Sequence, residues 1–167
     1  MRLPVTLIFP TVPPELYELR PGFDKNSDTI ADLTLTRYVF NAFIEACTIL
    51  GKNGEEARLI ADIRDILAHF PSYPTAKSSR GDVFVSVKGE DPEIVYNVPV
   101  SLMTVFPGDH HGLHSSSGDL RVAVNTYLSQ QNEGGNELVF LNVQAARLGL
   151  LDIGRFNLGY AVFVPGV

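Results

Sequence analysis

The chain has 167 residues, enough for one domain with a real core, and its hydrophobic fraction of 45% is ordinary for a globular protein. Its formal net charge of −6 argues against a nucleic-acid partner, which would need a basic surface. The single cysteine, Cys47, excludes an internal disulfide framework.

Nothing in the sequence predicts a membrane partner. No apolar run is long enough to span a bilayer, and the opening MRLPVTLIF is too short, and too interrupted by Pro4, for a signal peptide. We therefore expect a soluble chain, which either begins at a natural start or is a piece of a longer protein. No pattern points to a cofactor, since GKNGEEAR lacks the spacing of a phosphate-binding loop.

A proline-rich segment, FPTVPPELYEL at residues 9–19, precedes the first predicted helix. Prolines fix φ and hold the preceding residue extended, so we expect this segment to be stiff. A stiff segment presents Glu15, which directly follows the Pro-Pro pair, at a fixed place. Alternatively, Glu15 simply begins a helical turn after Pro14.

The next segment predicts an amphipathic helix over residues 28–50, because its apolar residues mostly recur at spacings of three and four. Ser27 or Asp28 can cap its start, and Gly51 ends it. We expect Cys47 to be a buried small hydrophobe on this helix. The apolar positions are Ile30, Leu33, Val39, Phe40, Phe43, Ile44, Cys47 and Leu50.

A second helix follows in KNGEEARLIADIRDILAHF. Asn53 and Glu56 have the spacing of a capping box, and Pro71 stops the run. The linker between the two helices is short, so they should pack antiparallel as an αα-hairpin. One apolar stripe comprises Ile60, Ile63, Leu67 and Phe70.

The middle of the chain changes character. DVFVSVK alternates and is rich in β-branched residues, GEDPE is turn-forming, and IVYNV can return as a strand, which predicts a β-hairpin from Asp82 to about Asn97. The following PVSLMTVFPGDHHGLHSSSGD is a long connection rich in Pro, Gly, His and Ser. Connections of this length are usually functional or disordered.

Two more helices are predicted, from Asp119 to about Ser129 and from Asn136, a good cap, to Leu148. Helix pairs around a small β excursion make the fold mainly α, built of antiparallel helical hairpins. The inward positions of the last helix are predicted to be Val139, Phe140, Val143, Ala146 and Leu150.

Five segments follow one another along the chain: PTVPPELYEL, TIADLTLTRYVFNAFIEACTILG, YPTAK, YNVPVSLMTVFPGD and NEGGNELVFLNVQAARLGL. Together they resemble part of the (α/α)6-barrel catalytic domain of glycoside hydrolase family ninety-five and its relatives, which include α-L-fucosidases and some α-galactosidases. The resemblance implies part of an (α/α)6 toroid and a domain that acts on or binds carbohydrate.

Glycoside hydrolysis uses two carboxyl groups, one that protonates the leaving oxygen and one that activates water or attacks. The resemblance matches Glu15 to the general acid, which partial burial can keep protonated. For the second carboxyl group the candidates are Glu133, in the NEGGN turn, and Asp109, in PGDHHGLH. Each is alternatively a solvated loop acid.

Candidate sugar-binding residues are Asp32, Asn97, His110, His114 and Asn136. Asp32 matches an aspartate in the family's helix, or else caps the helix or hydrogen-bonds a neighbour. His110 or His114 would stack on a sugar or hydrogen-bond to it. The loop also offers Asp109 and its three histidines as metal ligands, but adjacent histidines there have no recognised spacing, so we predict no metal site.

Two features depart from the family. A full barrel has six helix pairs, and this chain has room for about two. The family's loop before Pro-Gly is rich in histidine, whereas the same places read NVPVSL here, so we do not carry over the sugar contacts made there. We expect a single helical domain over residues 1–167, an incomplete barrel. It is either glycosidase-like or a non-catalytic module that forms a homo-oligomer through exposed apolar helix flanks.

Overall fold

A computed structural model describes residues 7–12, 27–92, 95–96, 98–132 and 137–150. Within these residues the α-helices are α1 (Ile30–Ile49), α2 (Ala57–Ala68), α3 (Ser117–Ser129) and α4 (Glu137–Arg147), with a 3₁₀ helix at Val100–Leu102. The strands are β1 (Thr75–Ser78), β2 (Gly81–Phe84), β3 (Val95–Tyr96) and β4 (Gln131–Asn132). The mainly α class is confirmed.

The start of α1 is fixed by a cap one residue later than predicted. Thr29 is the N-cap, and its hydroxyl accepts from the Asp32 N–H and donates to Asp32 Oδ2 at 2.6 Å. Asp28 has a φ of 54° and instead pairs with Ile8: its Oδ1 accepts from the Ile8 N–H at 2.8 Å, and its N–H donates to the Ile8 carbonyl at 3.0 Å. Residues 7–12 are therefore pinned beside the N-terminus of α1.

The predicted helical hairpin is confirmed. Phe70, just beyond the end of α2, lies against Arg37 in the first half of α1, so α2 runs back along α1. The predicted capping box is wrong: the N-cap of α2 is Glu56 and no side chain caps it. Asn53 Oδ1 accepts instead from the hydroxyl of Thr48, at the end of α1, at 3.3 Å.

The buried face of α1 differs in part from the predicted stripe. Val39 and Leu50 were assigned to it, but 59% and 70% of their surface is exposed. The helical row that turns inward runs through Ile30, Leu33 and Arg37 to Cys47, which is buried as predicted. Arg37 interrupts this row of apolar residues. Counting apolar positions alone therefore assigned the buried face of α1 incorrectly in part.

The β-hairpin is formed by different partners from those predicted. β1 pairs antiparallel with β2, with Thr75 opposite Phe84 and Ser78 opposite Gly81. β3 pairs in parallel with β4, far along the chain. The prediction failed because the strand before Gly81, TAKS, shows no apolar alternation and was not counted as a strand.

The long connection after β3 contributes directly to the core. Val100, Leu102, Thr104 and Val105 have no exposed surface. The other main contributors are the start of α1, Phe84 of β2, and the inward faces of α3 and α4. This connection is thus an ordered core segment that ends in the loop PGDHHGLH.

Helices α3 and α4 occur where they were predicted, but the inward face of α4 is different. Val143 and Ala146 are exposed, whereas Leu141, Gln144, Ala145 and Leu148 are buried. Leu150, by contrast, packs against the core as predicted, and Gln144 faces inward because its amide binds backbone carbonyls of the connection. Among the described residues, no helix is both long and apolar enough to cross a membrane.

Candidate functional site

Four chemically active side chains lie together where the loop PGDHHGLH meets α1 and the segment before β1. We call Arg37, Tyr73, His110 and His111 the Arg–Tyr–His cluster. Each of the four is partly exposed, so the group is both packed and reachable from solvent.

Backbone hydrogen bonds hold both histidines in place. The Thr104 carbonyl accepts from the N–H groups of His110, at 2.8 Å, and His111, at 3.0 Å. Two consecutive N–H groups on one carbonyl turn the chain sharply at this point. The turn is anchored to the fully buried part of the connection, so the imidazole rings cannot drift far from α1.

Helix α4 fastens the same loop from the other side. Gln144 Nε2 donates to the carbonyls of Leu102 and Phe106, each at 3.3 Å. Arg147 Nη1 donates to the Val105 carbonyl at 2.9 Å and to Asp109 Oδ1 at 2.7 Å. Two side chains of one helix therefore hold the start of the loop, and the Arg147 carbonyl accepts from the Leu113 N–H near its end.

A glycine allows the loop to touch α1. A Cβ at Gly108 would lie 2.0 Å from Thr34 Cγ2 and 2.8 Å from the Met103 carbonyl oxygen. No side chain fits that space, so the loop can approach α1 this closely only with glycine at this position. The close approach brings the two histidines to the turn of α1 that carries Arg37.

The rings of the cluster form a continuous contact. Tyr73 lies 5.9 Å from His110 and 5.5 Å from His111, measured between ring centroids, and its hydroxyl shares a hydrogen bond with His110 Nδ1. Phe84 closes the group, with its centroid 4.8 Å from that of His111. The site thus combines aromatic faces with polar ring atoms.

Arg37 is stacked on two aromatic rings. Its guanidinium carbon lies 5.1 Å from the centroid of Phe70 and 5.5 Å from that of Tyr73. Such stacking orients the guanidinium plane and is favourable as a cation–π contact. Its Nε is buried without a hydrogen-bond partner.

Burial and the arginine charge together keep the histidines neutral. Burial, and next the nearby Arg37 cation, lower the pKa of His110 from 6.5 to about 4. Burial also lowers the pKa of His111, opposed by Asp119. Burial raises the pKa of Tyr73, and Arg37 partly offsets this. Near neutral pH, Arg37 is therefore the single charge of the cluster.

Several buried polar atoms around the cluster have no hydrogen-bond partner among the described residues. They are Thr104 Oγ1, His111 Nδ1 and Arg37 Nε. Unpaired buried polar atoms are rare in folded proteins, because each costs free energy unless a partner is supplied. Their concentration here favours a site completed by a polar ligand.

The structure separates the predicted site residues. His110 belongs to the cluster. Asp109 is exposed, with a φ of 57°, and is bound to Arg147. His114 is exposed, and Asp32 is engaged with the N-cap of α1. Four other candidates lie outside the described residues: Glu15, Asn97, Glu133 and Asn136.

Sequence reasoning did not identify Arg37 or Tyr73 as site residues. The signal for Arg37 was present, because it lies seven residues after Ile30 and four after Leu33, on the inward row of α1. A charged residue is seldom buried in an apolar row unless an interaction offsets the cost of removing its charge from water. No local pattern connects Tyr73 with His110, 37 residues away, so that contact required the fold.

Neither a metal-binding group nor a surface depression offers a better candidate site among the described residues. In the described part of the chain, no three His, Cys, Asp or Glu side chains are grouped closely enough to hold a metal ion. A small, shallow depression lies between β2 and the end of α3, lined by residues that include Val83, Phe84, Thr126 and Gln130. Its lining holds no charged side chain, so it lacks the chemistry of the Arg–Tyr–His cluster.

Comparisons with protein-family models, with curated proteins and with solved structures found no match to this chain.

Proposed function

We propose that this chain is a glycosidase-like helical domain that binds carbohydrate at the Arg–Tyr–His cluster. Its helical hairpins are proposed to correspond to part of an (α/α)6 toroid. The observation that carries the proposal is the docking of the loop PGDHHGLH onto Tyr73 and Arg37, which lie in two of the segments behind the resemblance, YPTAK and TIADLTLTRYVFNAFIEACTILG.

The chemistry of the cluster suits a sugar. A pyranose has an apolar face, which packs on aromatic rings such as Tyr73 and Phe84, and a rim of hydroxyl groups. Neutral imidazoles can donate and accept hydrogen bonds with those hydroxyl groups. The unpaired atoms of Thr104 and His111 add further capacity at the same place. This combination of aromatic lining and a few polar groups is typical of small-ligand sites.

Glu15 remains the proposed general acid of this domain, and Glu133 and Asp109 the proposed second carboxyl groups. The pinning of residues 7–12 beside α1 supports the proposal, since it anchors the proline-rich segment close to the N-terminal end of that helix. Asp109 is paired with Arg147, so it would have to leave that ion pair to act as the second carboxyl group. Whether catalysis accompanies binding is a separate question with its own test.

Binding is tested by titrating neutral monosaccharides, fucose and galactose first, into the purified chain. The matched variants are Tyr73→Ala, which removes the central ring, and Tyr38→Ala, which removes an exposed tyrosine of α1. We expect saturable binding that the first variant weakens at least about tenfold and the second leaves unchanged. Equal affinities in both variants would place the sugar elsewhere.

Hydrolysis is tested with aryl fucosides, galactosides and other aryl glycosides against the Glu15→Gln variant. If Glu15 is the general acid, the variant loses turnover of substrates with poor leaving groups but still binds sugar. Turnover that is the same in both proteins contradicts the role assigned to Glu15. Binding without any turnover leaves a carbohydrate-binding module.

A second candidate function, a homo-oligomeric interaction module, is favoured by one observation. Helix α1 exposes an apolar stripe on the side away from the core, with exposed fractions of 41% for Leu35, 59% for Val39 and 74% for Ile49. If two copies of α1 crossed antiparallel about Ala42, Leu35 of one copy would face Ile49 of the other. The large side chain of Tyr38 would then face the small side chain of Ala46. A stripe that matches itself in this way suits a twofold dimer.

A further inference from the structure

Arg37 differs from the other cations that the structure describes. Lys52, Lys77 and Arg147 each have a carboxylate partner. The remaining lysines and arginines in the described ranges are exposed and need none: Arg58, Arg64, Arg80, Lys88 and Arg121. Arg37 is therefore the one partly buried cation without an acidic partner in the described part of a chain whose net charge is −6.

The surroundings of Arg37 pack on its guanidinium group but leave its buried Nε–H without a hydrogen-bond partner among the described residues. Phe70 and Tyr73 pack on the guanidinium group, and aromatic faces hold the plane without forming N–H hydrogen bonds in it. A guanidinium group carries five N–H donors in a rigid fork. A fork held in place before binding loses little entropy when it pairs with a planar anion.

The neighbouring acids do not supply that anion. Asp109 is paired with Arg147 at 2.7 Å, and Asp119 is hydrogen-bonded to the hydroxyl of Ser116 at 2.8 Å. Both are exposed residues of the loop and of the first turn of α3. The cluster therefore presents one positive charge, flanked by uncharged histidines and by the Thr104 hydroxyl, which has no partner among the described residues.

We propose that the ligand of this site is an anionic sugar whose carboxylate, as in a hexuronic acid, pairs with the guanidinium group of Arg37. The inference rests on the carbohydrate-binding function for the rest of the ligand. A carboxylate matches the fork with two parallel hydrogen bonds, whereas a sulfate ester would use the same charge without that planar match. The aromatic rings and histidines would then bind the sugar ring beside it.

Calorimetric titration tests the proposal with galacturonate and glucuronate against galactose and glucose, with glucose 6-sulfate and with acetate. We expect the uronates to bind at least about tenfold more tightly than their neutral parents, as a charge-assisted pair of hydrogen bonds provides. In Arg37→Met this preference should fall to about one. In Arg64→Met, which removes an exposed cation of α2, it should persist.

The wild-type protein provides an independent reading if Arg37→Met folds poorly. Added salt should weaken uronate binding and leave galactose binding unaffected, because only the former includes an ion pair. Equal binding of acidic and neutral sugars overturns the proposal while the carbohydrate function stands. Stronger binding of the sulfated sugar than of glucuronate overturns the carboxylate assignment.

Acetate tests the anion site at Arg37 separately from the carbohydrate-binding function. If acetate binds in an Arg37-dependent manner and no sugar binds, the anion site is supported and the carbohydrate function fails. If neither acetate nor any sugar binds, both fail.

Discussion

At the scale of single residues, the site depends on how closely the loop approaches α1. Gly108 lies where any Cβ would overlap Thr34 and the Met103 carbonyl. The two histidines follow within three residues, so their positions are set by this contact. A change of one methyl group at Gly108 therefore acts directly on the cluster.

Gly108→Ala is expected to destabilise the fold by about 1–3 kcal/mol, as overpacking of a tight contact does. The loop must shift to relieve the overlap, so sugar affinity should fall as well. Gly54→Ala is the matched control, because a Cβ there meets nothing within 4 Å. Urea denaturation of the two variants gives the comparison, and equal stability in both would show that the loop yields easily.

The low pKa of His110 predicts a pH dependence of stability. Its folded value of about 4 lies below its ordinary 6.5, so the unfolded chain binds the proton more readily. The contribution of neutral His110 is fully present above pH 6.5, declines as the pH falls below that value, and levels off near pH 4. His111 acts in the same direction.

The denaturant concentration at the unfolding midpoint, measured between pH 5 and pH 7, checks this dependence. His110→Gln should flatten the slope, because a side chain that does not titrate replaces the imidazole. His114→Gln, at an exposed position, should leave it as in the wild type. An unchanged slope in His110→Gln would mean that the imidazole is not desolvated.

At the scale of elements, the N-terminus of α1 joins two parts of the site. Thr29 caps the helix that carries Arg37, and its own N–H donates to the hydroxyl of Thr11 at 3.3 Å. Thr11 belongs to the start of the proline-rich segment, ahead of Glu15. The cap therefore fixes the helix and the segment relative to each other.

Thr29→Ala should cost about 1 kcal/mol of stability, the usual loss when a capping hydroxyl is removed, and it leaves Asp32 without its partner. Thr36→Ala, within the same helix, is the control and should be neutral or slightly stabilising, since alanine is the better helix former. Thermal denaturation of both variants measures the difference. A neutral Thr29→Ala would show that the segment, and not the cap, holds the start of α1.

The spacing of apolar residues was sufficient to predict where the helices lie, but not which face of each helix is buried. Apolar spacing predicted helices α1 to α4, the αα-hairpin and the burial of Cys47, because these features depend on local sequence. The faces of α1 and α4 were misassigned because Arg37 and Gln144 point inward, and only contacts distant in sequence explain why. The strand pairing failed for the same reason, since β3 finds its partner near residue 131.

The candidate site was predictable only in part. The loop PGDHHGLH and His110 were identified from residue types. Arg37 and Tyr73 were not, because the cluster unites α1, the segment before β1 and the loop before α3. Such a convergence of distant segments cannot be read from the spacing within any one of them.

At the scale of the whole molecule, the exposed stripe of α1 predicts self-association. Light scattering over a range of concentrations should show a species of twice the chain mass of 18.3 kDa. Val39→Glu should abolish it, because the introduced charge would be buried between the copies. Leu128→Glu, an equal change at an exposed position on α3, should not. A monomer at every concentration contradicts the interaction module and leaves the carbohydrate proposal intact.

The central claim is that the Arg–Tyr–His cluster binds the sugar, and the histidines themselves report on it. The chain has 4 histidines, so their ring resonances can be resolved by NMR and assigned with single substitutions. On saturation with a bound sugar, we predict that the His110 and His111 signals shift, while the signal of His69, whose ring is turned to the Asp65 carbonyl, stays in place. Saturable binding that leaves both cluster histidines unmoved would contradict the account.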